Sequence, residues 1–164
     1  MEYIDFLKTK QVKIQKTGFE VSEDDLNPAL FDFQKYCVRN ALAAGKYALF
    51  EDCGLGKTLQ QLEWTKQVSE HTEKPVLILA PFGVIYQTIQ EGVKFGYEVK
   101  EIALTVFGQD LAKGIYITNY DNMDSIDAHL FSGVVLDESS ILKNFDGKTK
   151  QKLIDDFRNT PYKL

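Results

Sequence analysis

The sequence predicts an α/β domain, a mostly parallel β-sheet flanked by helices on both faces. Three observations carry this reading. PVLILA (75–80) and GVVLD (133–137) are apolar runs suited to strands buried on both faces, apolar residues recur at helical spacing between the strand candidates, and a glycine-rich turn joins a strand candidate to a helix. At 164 residues the chain fits one domain and can bury roughly 70% of the surface its unfolded form exposes.

Residues 1–26 show no regular pattern and are read as an N-terminal appendage ending in an acidic, helix-start or turn region before Pro28. In the next stretch Leu30, Phe33, Cys37, Val38 and Leu42 fall at spacings of three and four, which predicts an amphipathic helix stopped by Gly45. A strand is expected at Tyr47–Phe50, then the glycine-rich turn. A helix follows from about Thr58 to Ser69, with Leu59 and Leu62, and Trp64 and Val68, as helical pairs. The unit then repeats. After the strand at Pro75–Ala80, Ile85, Ile89 and Val93 predict a helix over Val84–Phe95. Strand candidates at Val99–Val106, GIYIT (114–118) and GVVLD complete the sheet.

Composition excludes several classes. With 44% hydrophobic and 26% charged residues and four prolines, the chain is a soluble globular protein rather than a disordered or fibrous one. The start MEYIDFLKTK lacks the basic-then-apolar order of a secretory signal, and no apolar run is long enough to span a bilayer, so a cytosolic location is expected, bacterial or in a phage-infected cell. Cys37 and Cys53 show no metal-ligand or disulfide spacing and are expected to pack. A net charge of −5 argues against gripping nucleic acid by bulk electrostatics and leaves local contacts open.

The turn is FEDCGLGKTLQ (50–60). It carries Gly54, Gly56, Lys57 and Thr58 in the order of a phosphate-binding loop, but Glu51 stands where that pattern has its first glycine. In such a loop, backbone N–H groups at a helix N-terminus face phosphate, and glycines let the backbone approach. Lys57 then neutralises charge and the Thr58 hydroxyl ligates Mg²⁺. The alternative is a plain strand-to-helix turn. The second motif, GVVLDESS (133–140), delivers Asp137 and Glu138 at the C-terminal end of a strand, the edge where open α/β sheets bind ligands. Asp137 suits Mg²⁺, and Glu138 suits orienting or deprotonating the attacking water. The alternative there is a solvated acidic pair. Together the two motifs point to a Mg-ATPase site.

The order FQ (33–34), GLGKT (54–58), LAP (79–81), ITNY (117–120) and LDESSILKN (136–144) resembles the first RecA-like lobe of superfamily-two helicases. It is most similar to the Swi/Snf-like branch, especially its phage-encoded members. The resemblance covers residues 27–164, and DESS in place of DEAD or DEAH sets it apart from the RNA-helicase branches. It implies that Gly54, Leu55, Gly56, Lys57 and Thr58 hold the phosphates of ATP, that Thr58 and Asp137 hold Mg²⁺, and that Gln34 reads the adenine edge. A solvated helix glutamine is the plainer reading of Gln34. The resemblance also implies that Pro81, Phe82 and Gly83, and again Thr118, Asn119 and Tyr120, meet a nucleic-acid backbone, and that Lys143 and Asn144 extend the acidic motif. Turns after strands favour the same residue types, so these positions also read as turns.

A motor of this family needs a second RecA-like lobe whose arginine stabilises transition-state charge. Arg39 and Arg158, the only arginines, match that finger at neither position. The chain is therefore expected to be an excised or truncated first lobe of a DNA-dependent ATPase, with translocation on duplex DNA favoured over strand separation. Other readings stand beside it. A small-molecule P-loop kinase would bring an arginine-rich lid, a GTPase an NKxD-type motif, and a binding module an ATP site with no activity of its own.

Overall fold

The computed structural model describes residues 16–102, 110–138 and 147–164. Five strands form one all-parallel sheet: β1 (Pro75–Ala80), β2 (Val99–Glu101), β3 (Gly114–Asn119), β4 (Gly133–Leu136) and β5 (Tyr162–Lys163). Their spatial order is β2-β3-β1-β4-β5. Four helices accompany them: α1 (Asp32–Ala44), α2 (Lys57–Thr72), α3 (Phe82–Phe95) and α4 (Gly147–Asp156).

The central strand shows why the sheet is a layer between two cores. All six residues of β1 are buried, and successive side chains of a strand point to opposite faces. Val76, Ile78 and Ala80 join the core formed with Val38 and Leu42 of α1, Leu59, Leu62, Trp64 and Val68 of α2 and Ile85 of α3. Leu77 and Leu79 join the opposite core with Tyr116, Met123, Phe131, and Leu153 and Phe157 from α4 and its exit. The expected helix-flanked parallel sheet is therefore present, with β1 at its centre.

The helix ends follow from local chemistry. Gly45 closes α1 at φ 76°, its N–H bonding Ala41 O at 3.0 Å and Leu42 O at 3.2 Å. At the end of α3, Gly96 takes φ 83° while Tyr97 N–H reaches Gly92 O (2.8 Å) and Gly96 N–H reaches Val93 O (3.3 Å), a Schellman ending. Asp25, Leu26 and Asn27 pack onto α2: Gln67 Nε2 donates to Asp25 O and Asn27 N–H to the Glu63 carboxylate, while Leu26 enters the first core.

Several expectations are corrected. Tyr47–Phe50 is not a strand. Just before it Lys46 makes one isolated parallel bridge to Lys163, and Phe50 is 94% exposed. The second helix is longer than expected at both ends, and the third begins at Phe82 because Pro81 already serves as its N-cap. Of the core positions predicted for this helix, Val38 and Leu42 are buried, as is Leu30 just before α1, but Phe33 is 46% exposed and Cys37 only half-buried, so the apolar stripe is narrower than the spacing implies. Val93 and Cys53 are likewise exposed. Asp137 lies just past β4, in a turn. The strand expected over Val99–Val106 is observed for Val99–Glu101, and its end, from residue 103, lies outside the described residues. So do Ser139, Ser140, Lys143 and Asn144.

Candidate nucleotide site

Two turns meet at the C-terminal edge of the sheet. The first precedes α2. Gly54 and Gly56 both lie in the left-handed region, at φ 84° and 75°, where a side chain is strained, and Gly56 is the N-cap of the helix. A Cβ added at Gly54 would meet nothing within 4 Å, so this side of the loop is open. Lys57 opens α2, and its Nζ donates to the carbonyls of Glu51 and Asp52, each at 2.9 Å. The ammonium thus lies over the loop, and Thr58 sits half-buried in the same first turn.

The second turn follows β4. Asp137 donates its backbone N–H to Leu79 O at 2.9 Å, which extends the sheet register by one bond beyond β4. Its carbonyl accepts the Tyr120 hydroxyl at 2.7 Å, and its Oδ1 accepts Gln61 Nε2 at 2.8 Å. Gln61 lies one helical turn after Lys57 and Thr58 on α2, on the same helix face. This single contact joins residues 76 positions apart and brings the phosphate-loop helix against the acidic turn. Glu138 is exposed and adopts φ 51°, so the turn carries a non-glycine left-handed residue at the candidate site.

Behind the loop lies a polar wall. Gln60 is fully buried, and its Nε2 donates to Glu51 Oε2 at 2.7 Å; Gln60 Oε1 and Glu51 Oε1 are buried acceptors without a hydrogen-bond partner among the described residues. Burial, with the Glu51 carboxylate beside it, pushes the Cys37 thiol up from its ordinary value. Burial, with the charges of Asp137 and Glu138, does the same to the Tyr120 phenol.

No protein-family model matches the sequence, and no curated protein matches it. Solved structures do. The UvsW helicase from bacteriophage T4 superposes with a TM-score of 0.66 at 17% identity, over 81% of this chain and 50% of that one. The Sulfolobus solfataricus SWI2/SNF2 ATPase core domain gives 0.61 at 19% identity, over 87% and 31%. The chain has the fold of a RecA-like helicase lobe. It spans half or less of the length of these chains.

The remaining sequence candidates divide by burial. Gln34 is buried at the start of α1. Its Oε1 accepts Phe31 N–H at 2.9 Å and its Nε2 donates to Leu55 O at 2.7 Å, so the amide binds the loop backbone. It is not the solvated helix glutamine that was its plainer reading. Leu55 and Phe82 are exposed, and Gly83 has open space where a side chain would stand. Pro81, half-buried, is the N-cap of α3 and makes no side-chain cap hydrogen bond. Thr118 is fully buried, its hydroxyl donating to Ile102 O at 2.8 Å, and Tyr120 is buried against Asp137; both hydroxyls turn inward. Asn119 is half-buried and caps the turn Tyr120–Ser125 through Asn122 N–H at 2.9 Å. Sequence reasoning missed Glu51, Gln60 and Gln61 as members of the site. The signal was present in KTLQQ: two amides directly after the loop, at helix positions that turn inward.

Proposed function

We propose that this chain is the ATP-binding lobe of a DNA-dependent ATPase, a helicase-like translocase. The observation that carries the reading is the Gln61–Asp137 hydrogen bond, because it joins the glycine-rich helix start and the acidic turn into one site at the sheet edge. The residues present fit a magnesium nucleotide. The loop is open at Gly54, the N-terminus of α2 and Lys57 favour anionic phosphates, and Thr58 and Asp137 supply oxygens suited to a hard cation that keeps several water or phosphate ligands. Bound there, Mg²⁺ would neutralise phosphate charge, which is most of what phosphoryl transfer needs from its site. Lys57 binds and orients the phosphates after leaving the Glu51 and Asp52 carbonyls, and Glu138 positions the attacking water. A second RecA-like lobe supplies the transition-state arginine, and duplex DNA is the favoured track. Phe82 and Gly83, exposed at the turn after β1, are open to its backbone, while Asn119 is half-buried at the turn after β3.

One observation favours a lesser role for the chain by itself. Arg39 is held by Glu23 and Val21 O, and Arg158 by Asp155, so neither arginine is engaged at the sheet edge. By itself the lobe is then a nucleotide-binding module. Calorimetric titration of Mg-ATP into the chain and into its Lys57→Ala variant tests the reading. Saturable binding that the variant loses is the expected result; equal binding in both, or none in either, overturns it.

A further inference from the structure

Gln61 is only 8% exposed, on a helix whose inward positions mix apolar Leu59, Leu62, Trp64 and Val68 with polar Gln60, Glu63, Thr65 and Gln67, each of which has its own partners or packing. Holding a long amide in one rotamer costs side-chain entropy, and a buried amide costs more if it lacks partners. An apolar residue would satisfy packing alone. What Gln61 does instead is donate one hydrogen bond to one oxygen of Asp137, at 2.8 Å.

The rest of Asp137 is already fixed. Its N–H is bound to Leu79 O and its carbonyl to the Tyr120 hydroxyl, so the backbone is tied to the central strand on one side and to the end of β3 on the other. The remaining freedom is rotation of the carboxylate, and the Gln61 amide removes it. It does so without a charge. Lysine or arginine at this place would orient the carboxylate but cancel the negative charge that attracts a cation; an amide orients it and leaves the charge intact. Among the described residues no lysine or arginine pairs with Asp137. The bond engages Oδ1, and no described residue hydrogen-bonds or pairs with Oδ2, the oxygen a metal would take. Gln61 also shares its helix face with Lys57 and Thr58, so the carboxylate is referenced to the helix that presents the other candidate ligands.

We infer that Gln61 is the positioning residue of the metal half of this site: it aims the Asp137 carboxylate from the phosphate-loop helix so that nucleotide and Mg²⁺ bind together. The inference rests on the nucleotide reading above and deepens it. Groups that hold a metal ligand in place are typically worth about 10- to 100-fold in metal affinity.

A non-hydrolysable ATP analogue is titrated into the 164-residue chain with magnesium and again with EDTA, for the wild type, Gln61→Ala, Asp137→Ala and the double variant. The expected result is that Gln61→Ala loses about tenfold in affinity with magnesium, a loss confined to that condition, and nothing further when Asp137 is already alanine. A Gln61→Glu variant, which sets two carboxylates against each other, loses at least as much. A loss of equal size in EDTA shows a residue that only supports the fold and overturns the inference, as does an unchanged magnesium effect in Gln61→Ala. A loss that adds in full to that of Asp137→Ala also overturns it. Wild type that binds the analogue while ignoring Gln61 sinks this inference alone. Wild type that binds in neither condition sinks the nucleotide reading and this inference together.

Discussion

Glu63 is a carboxylate with no solvent exposure, halfway along α2. It persists there because its oxygens are satisfied: Oε1 accepts Gln67 Nε2 at 2.7 Å, and Oε2 accepts Asn27 N–H at 3.3 Å and the Tyr97 hydroxyl. Lys66 Nζ lies 3.9 Å away. Gln67 also holds Asp25 O, and the Asn27 side chain holds Phe95 O, so one acidic side chain organises the joint between the segment leading into α1, the middle of α2 and the end of α3. Glu63→Ala leaves several buried donors without an acceptor, a loss expected to cost about 3 kcal/mol. Glu63→Gln keeps the volume but turns an amide donor toward other donors, so it recovers only part of that loss. Urea unfolding of the two variants measures both numbers, and a Glu63→Ala change below about 0.5 kcal/mol, the scatter of ordinary surface substitutions, would remove the network from the account of stability.

At the scale of elements, the least legible part of the sequence is residues 16–26, and the reason is physical. Their backbone bonds go to the end of another element. Thr17, Gly18 and Phe19 donate their N–H groups to Ala44, Ala43 and Leu42 O, the orphan carbonyls that every helix C-terminus leaves. Phe19 then stacks on His71 with ring centroids 3.8 Å apart. Such a segment has no period of its own to read. Tyr47–Phe50, whose residue types suit a strand, meets β5 through Tyr47 N–H to Lys163 O at 2.9 Å and then leaves it, with Phe50 exposed. By contrast PVLILA, GIYITN and GVVL read correctly because burial on both faces leaves an unbroken apolar signature. The glycine-rich turn at Gly54 and Gly56 leading into a helix was legible from the sequence, while the Gln61–Asp137 pairing was not, since it depends on which strands become neighbours. Gly18→Ala tests the capping segment. Its Cβ would stand 1.7 Å from Leu42 O, a backbone atom that cannot swing aside. The variant should release residues 16–26 to limited proteolysis and lower stability by about 1–3 kcal/mol as buried carbonyls lose their donors. A cleavage pattern identical to that of the wild type would show that the segment contributes little to closing α1.

Across the whole molecule, the sheet separates two cores, and each contains a buried tyrosine tied to an acidic residue. Tyr97 belongs to the first core and donates to Glu63; Tyr120 belongs to the second and donates to the carbonyl of Asp137. Burial, then the Glu63 hydrogen bond and charge, raise the Tyr97 phenol well above its ordinary range, and burial with Asp137 and Glu138 raises Tyr120. A phenol unfolds to a value of about 10, so above that pH the unfolded chain releases protons that the native chain keeps. The unfolded state then binds fewer protons than the native one, and unfolding free energy falls as pH rises. The contribution is complete below about pH 10 and is lost progressively above it, at up to about 1.4 kcal/mol per pH unit for each phenol. Both cores therefore weaken in the same alkaline window, and the molecule should unfold cooperatively there rather than lose one face first. Tyr97→Phe and Tyr120→Phe, which cannot ionise, should each be less stable near neutrality yet show a flatter decline in urea midpoint above pH ~10. If either variant declines as steeply as the wild type, that tyrosine keeps no proton in the native state that the unfolded chain gives up.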